Sequence, residues 1–316
     1  MENKIQYATV LQKNLDKVMV QQSVTGWMEA NAGQVKYEGG NEIKIPKIST
    51  SGLGNYKRGS SKAFPGGAIS TTYETFKMTQ DRGRQFTWDA MDVDESNFVV
   101  TAANVMTTTQ KESIAPEVDA YRLSNLSQIA IKNNNVEYGF IPGNTKVKSI
   151  DKVKDAITKI RENGFEGDLV IHCTYDFKNQ IEKEMIGSIS PVKFLVDGVE
   201  TEVFAIDGCP LIPTVSNRMV TKIDLLDGES EGQEEGGFKK SKDALSINFM
   251  VIAKVSPLAV CKTDKIRIFE PAVNQDADAW KLDFRKYHDI WVMDNKVNGI
   301  FVNIKDTKPV TVDSQA

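Results

Sequence analysis

Three places in this chain bring together residue types that could do chemistry: His172 beside Cys173, His288 beside Asp289, and Asp92, Asp94 and Glu95 in one short turn. A cysteine nucleophile needs a base within hydrogen-bonding reach. The run LVIHC from Leu169 to Cys173 reads as a short buried strand, where neighbouring side chains point to opposite faces, so these two cannot form such a pair. His288–Asp289 resembles half of a metal dyad. With two histidines in the chain and no CxxC pair among Cys173, Cys209 and Cys261, there is nothing to complete a nitrogen- or sulfur-based site. Asp92, Asp94 and Glu95 could hold a hard cation, which supports a carboxylate-dependent metal hydrolase as a reading of another class. The same residues also serve as a helix cap and first-turn charge, because Asp92 and Glu95 have capping-box spacing. Asp276 and Asp278 fall in a polar loop where solvation accounts for them. No GxxxxGK loop, no GxGxxG after a strand and no GxSxG elbow occurs. The expectation is no catalytic residue, no metal and no cofactor.

What the chain offers instead is elements that reach. Residues 1 to about 34 are polar and helix-like, with Val10, Leu11, Leu15, Val18 and Met19 near helical spacing. Glu42–Ile48 alternates Ile43 and Ile45 with charged neighbours, a half-buried strand in which Pro46 favours an edge. Ile69, Thr71, Tyr73 and Thr75 alternate again. Between these strands, five glycines, several serines and the cations Lys57, Arg58 and Lys62 leave little to bury. Strand, polar tip and strand describe a long hairpin that cannot fold onto its own core; a disordered surface loop is the other reading of this composition. The candidate assembly contacts are Lys57, Arg58, Lys62 and Phe64 on that tip, with Arg82 and Arg84 on either side of Gly83. The two arginines suit an ion pair with a neighbouring subunit or with the helix that follows.

Phe98, Ala102, Val105 and Met106 share one face of that helix, and Val118, Tyr121, Leu126, Ile129 and Ala130 carry an apolar stripe onward. Pro116 interrupts them, which gives either two helical pieces or one kinked helix, with Glu117 and Asp119 placed to favour a new helix start. From Ser149 an α/β unit begins. Ile150, Val153, Ile157 and Ile160 form a helix face ended by Gly164, and Asp176 opens a second helix. Strands follow near 192–196 and 202–206. Leu226–Gly237, LDGESEGQEEGG, reads as a mobile acidic loop. Leu245–Val255 returns as a buried strand. IWVMD and IFVNI, joined by Asn295–Gly299, give a hairpin signal near the end.

Composition sets outer limits. With 316 residues, 40% hydrophobic, the chain can bury one large core or two smaller ones. No run approaches the roughly 18 apolar residues of a membrane span, and the N-terminus lacks a signal-peptide pattern. Three cysteines, an odd and sparse set, fit synthesis in a reducing cytoplasm. A net charge of −4 argues against tight nucleic-acid binding, which needs a basic patch.

Within Gln80–Leu126, the segments DRGRQFTWDAMDVDESNF and IAPEVDAYRLSNL resemble the spine region of major capsid proteins of tailed bacteriophages, the Hong Kong 97-type fold, and are most similar to those from phages of low-GC Gram-positive bacteria. The resemblance implies an α+β fold with residues 1–41 as N-terminal arm and 42–88 as the extended-loop region. It makes 89–148 and 256–307 the peripheral domain with its spine helix, 149–255 an inserted axial α/β domain, and 308–316 a tail. The function implied is a structural head subunit that self-assembles through hexamers and pentamers into an icosahedral virion shell around double-stranded DNA. With Met1 close to the arm, a separate scaffolding protein is implied, and a portal. Some family members cross-link a loop lysine to a neighbour's asparagine; Lys57 or Lys62 with Asn295, Asn298 or Asn303 would be the counterparts. An encapsulin-type cellular compartment is the alternative on the same fold.

Overall fold

The computed structural model describes residues 23–34, 36–37, 42–59, 62–91, 102–143, 147–185, 190–196 and 199–309. Residues 1–22 of the helix-like segment expected over 1 to about 34, and the Asp92–Asp94–Glu95 turn with Phe98, lie outside these. A 3-10 helix, Gly26–Gln34, leads to β1 (Lys36–Tyr37), β2 (Glu42–Thr50), β3 (Ile69–Lys77) and β4 (Gln80–Asp89). Next come α1 (Ala102–Thr109), a π-helical turn (Gln110–Ile114), α2 (Ala115–Lys132), β5 (Val136–Tyr138), α3 (Ser149–Glu162), β6 (Leu169–Thr174) and α4 (Tyr175–Glu184). The remainder is strand: β7 (Ser190–Val196), β8 (Val199–Ile206), β9 (Cys209–Thr214), β10 (Ile223–Leu225), β11 (Phe238–Lys240), β12 (Ile247–Ala253), β13 (Pro257–Phe269), β14 (Ala279–Val292) and, after a short 3-10 helix, β15 (Ile300–Ile304).

Strands β6 and β12, apolar on both faces, sit centrally in a mixed seven-stranded sheet of order β5-β15-β12-β6-β9-β8-β7. Alternation along β12 splits its side chains. Met250 and Ile252 pack with Leu123, Leu126 and Ala130 of α2 and with Trp27 and Met28. Phe249 and Val251 face Val153 and Ile160 of α3 and Phe177 of α4. Helix α3 begins under the Glu184 carboxylate, which accepts from the N–H groups of Ser149 and Ile150 at 3.0 Å each, and so satisfies two orphan donors. It ends in a Schellman turn. Gly164 takes φ +89°, its N–H meets Arg161 O, and the Phe165 N–H reaches Ile160 O.

The other large sheet has order β13-β14-β4 and packs Leu282 and Phe284 against Ala102 and Met106 of α1. β2 and β3 form the expected hairpin, paired from Glu42↔Lys77 out to Thr50↔Ile69. β1 covers β2 only at Ile43 and Lys44, so Pro46 lies where that side of the strand is unpaired. Two expectations need correcting. Of the two readings at Pro116, the single helical run is the one found: it runs through, because the π turn Gln110–Ile114 just before the proline widens the ladder where a proline would clash with the preceding turn. Glu117 and Asp119 therefore lie inside a continuous helix, not at a new start. The terminal hairpin does not form either. β14 ends in one sheet and β15 crosses to the other, pairing with β12 and β5. All five residues of β15 are buried, which a two-stranded hairpin with one wet face could not provide.

Candidate assembly surfaces

The hairpin is anchored at its root and bare beyond it. Ile43, Ile45 and Met78 are buried with Leu258 and Val260, whereas no residue from Pro46 to Thr50 is buried. The tip closes on itself through Ser51 N–H to Ala68 O and Lys57 N–H to Ala63 O, both 3.0 Å. Tyr56 and Phe64 meet edge to face at 5.0 Å. Around that ring pair the apolar surface stays in water: Leu53 is fully exposed, Phe64 is 81% exposed, and Ile48, Ile69 and Tyr73 are exposed with it. Lys57, Arg58 and Lys62 are exposed on the same tip. A monomer gains nothing by holding five large apolar side chains outside its core.

At the hairpin's return, β4 carries Arg82 and Arg84 to different partners. Arg82 grips Glu117 of α2 with two hydrogen bonds, Nε to Oε1 at 2.8 Å and Nη2 to Oε2 at 3.1 Å. Its guanidinium also donates to the carbonyls of Leu226 and Gly237, the neck of the acidic loop. Arg84 donates to Glu234 O at 2.9 Å. The acidic loop, read from composition as too polar to pack, is thus held by two arginines through backbone carbonyls. It is further shaped by Asp227, whose carboxylate is lowered to about 2 by the Ser230 hydroxyl and by the N–H groups of Glu229 and Ser230. Gly228, at φ +80°, leaves room for Arg84: a Cβ there would stand 2.7 Å from Nη1.

The chain entering from the N-terminal side is fixed by one carboxylate. Asp119, fully buried on α2, accepts from the Ser23 and Thr25 hydroxyls and from the N–H groups of Val24 and Thr25, and pairs with Arg218 at 3.0 Å. Three residues on, buried Arg122 pairs with Glu29 and donates to Thr25 O. Burial pushes the Glu29 carboxyl up, but the Arg122 guanidinium outweighs it and the net shift is downward. Trp27 donates to Nε2 of His172 at 3.2 Å and stacks on it. Sequence reading missed this clamp, because Asp119 signals nothing until Ser23–Thr25 are brought against it.

Among the described residues, His172, Cys173 and Asp289 are tied into the packing and hydrogen bonds of the fold. Burial lowers His172 to about 3 and raises Cys173 to about 12, and the two lie on opposite faces of β6, in different packing layers. Asp289 accepts from Thr79 N–H, Thr79 hydroxyl, Tyr121 hydroxyl and its neighbour's N–H, all within 2.9 Å. No cluster of three His, Cys, Asp or Glu residues suited to a metal occurs among the described residues. Asn303 is fully buried between Asn248 and Glu137, out of a neighbour's reach, while Asn295 and Asn298 are exposed. No described helix is long and apolar enough to cross a membrane.

No protein-family profile matches the sequence, and no curated relative does. Solved structures do. A structure of bacteriophage PhiM1 mature capsid aligns at TM-score 0.55 and 9% identity over 84% of this chain and 82% of that one. The capsid structure of cyanophage P-SCSP1u gives TM-score 0.54 and 10% identity over 86% of both. A structure from Microbacterium phage Oxtober96 gives 0.54 and 11% over 87% and 90%. Near-complete coverage in both directions, at identities this low, is agreement in architecture: this chain has the α+β fold of phage capsid subunits.

Proposed function

We propose that the protein is the major capsid subunit of a tailed phage, with Hong Kong 97-type organisation, and that it works by association without turnover. Residues 1–41 act as the arm and 42–88 as the extended loop. Residues 89–148 and 256–307 form the peripheral domain, 149–255 the axial domain and 308–316 a tail, with β5 and β15 lent to the axial sheet. Hexamers and pentamers close into an icosahedral virion shell around double-stranded DNA, which the subunit touches weakly. Assembly is guided by a separate scaffolding protein and a portal, and the phage lineage is that of low-GC Gram-positive hosts.

The observation that carries this reading is the hairpin. Ile48, Leu53, Tyr56, Phe64, Ile69 and Tyr73 are exposed along it, beyond the reach of the subunit's own core. At about 1.5–3 kcal/mol for each side chain fully buried, a neighbour that covers most of them supplies gross stabilisation on the order of 10 kcal/mol before association entropy is subtracted. Lys57, Arg58 and Lys62 orient the tip on that neighbour, and Arg82 and Arg84 hold its base. Electron microscopy and sedimentation of the purified protein, with and without residues 51–68, test the reading. Shells, rings or tubes from the full chain and a soluble, unassembled deletion variant are expected; normal shells from the deletion would overturn it.

A further inference from the structure

Beside the π turn lies an open groove of about 470 Å³ whose charged lining is Lys111, Arg218, Lys239 and Lys240 against one carboxylate, Glu112. In a chain of net charge −4, this is a local excess of cations. Lys111 and Lys239 are exposed and have no ion-pair partner among the described residues. Among the described residues Lys240 meets only a hydroxyl, Ser246 Oγ at 3.0 Å. Arg218 is held from behind by buried Asp119, and its buried Nε has no acceptor. The groove is lined by residues of the helical run, of the turn at Val215–Arg218 and of β11, and of its cations only Arg218 has a carboxylate partner among the described residues.

Its shape points to the kind of ligand. β11 pairs with β10 on one side and, among the described residues, has no strand on the other. All three consecutive residues of β11 line the groove. Successive strand residues point to opposite faces, so a cavity that meets three in a row runs along the open edge. An open edge offers backbone N–H and C=O groups in alternation; an extended peptide can pair both, whereas the phosphates of a phosphodiester chain can accept from the N–H groups but donate nothing to the carbonyls. Pro116 and Phe238 supply apolar lining for a side chain between the charged ones.

We propose that this groove binds an extended acidic segment of a partner protein, which adds to β11 as a third strand and sets its carboxylates against Lys111 and Lys239. The chain's own acidic segment is not that ligand, because Asp227 folds it into tight turns over Glu229 and Ser230. The inference does not rest on the shell reading, although a shell subunit gives such a partner an evident use in controlling assembly.

The test uses the full chain and an N-acetylated, fluorescently labelled (Glu-Val)4 peptide, with anisotropy as the readout. Binding at low salt is expected, and the Lys111→Glu/Lys239→Glu variant should bind on the order of tenfold more weakly, since reversed rim charges act on exposed pairs. Both residues are exposed, so the circular-dichroism spectrum and thermal midpoint should not change. The same peptide N-methylated at alternate residues should fail to bind, because it cannot complete a ladder. Four outcomes overturn the proposal: equal binding to the charge-reversed variant, undiminished binding of the N-methylated peptide, binding of a 20-base-pair DNA duplex with none of the peptide, or binding of neither. The third would make the groove a phosphate site, and the fourth would leave the lysines as protection of a bare strand edge. Shell formation followed in parallel keeps the two readings separable, because loss of peptide binding with intact shells touches only this inference.

Discussion

Acid should weaken the unassembled subunit well above the range in which its carboxylates titrate. The chain has two histidines, and both are buried: His172 with Nε2 accepting from Trp27, and His288 edge-on to Tyr121. Burial lowers His172 to about 3, and burial together with the nearby Arg122, Lys286 and Arg82 cations lowers His288 well below its ordinary value. In the unfolded chain each takes up a proton near pH 6.5, whereas in the folded chain neither does until the pH is far lower. Both therefore contribute full stability above pH 6.5, and that contribution falls as the pH drops below it. Between pH 7.5 and 5.0 the loss is about 2 kcal/mol per histidine, about 4 kcal/mol in all. That is a large part of the 5–15 kcal/mol typical of a domain. Glu29, Asp81, Asp227 and Glu234 are shifted downward from values already below pH 5, so they do not contribute in this window. Urea unfolding followed by tryptophan fluorescence at pH 7.5, 6.0 and 5.0 measures the effect. His172→Gln, which leaves an acceptor for Trp27, and His288→Gln should each remove about half of the slope. A wild-type stability that holds within about 1 kcal/mol from pH 7.5 to 5.0 would refute the reasoning, as would an unchanged slope in the double variant.

Other perturbations follow from the same geometry. Asp119→Asn keeps the shape but leaves Arg218 without its counter-charge and turns an amide N–H toward existing donors, a loss of about 3–5 kcal/mol in urea unfolding with faster proteolysis near Ser23–Thr25. Arg82→Ala removes a two-point grip on Glu117 that is only partly exposed, and should cost about 1–2 kcal/mol, with faster hydrogen exchange at Leu226 and Gly237. Gly299→Ala would drive a methyl to 2.2 Å from Ser256 Oγ and 2.9 Å from a Phe165 ring carbon. The expected loss there is about 1–3 kcal/mol, read as a lower thermal midpoint.

Much of the architecture is written in local pattern. Alternation of Ile43 and Ile45, then of Thr71 and Tyr73, around a tip with nothing to bury dictates a hairpin whatever surrounds it. The stripe Ile150, Val153, Ile157 and Ile160 dictates helix α3, and Gly164 its stop. These rest on period and on backbone freedom, which neighbouring residues settle among themselves. The charges could not be read that way. Glu117 and Asp119 look like first-turn anions after a proline, and only the continuous helical run through the π turn makes them interior residues with partners at Arg82 and Arg218. The terminal IFVNI looks like a hairpin arm, because a strand buried on both faces and a strand with one wet face can share the same short apolar run. What the sequence by itself determined was the hairpin of β2 and β3, helix α3 with its stop, and the buried strands β6 and β12, since each follows from a local period. What the tertiary structure alone decided was which sheet each strand joins, which carboxylate clamps the entering chain, and which cations are left without a counter-charge. Burial and ion pairing are made between residues that lie about a hundred or more positions apart in the chain.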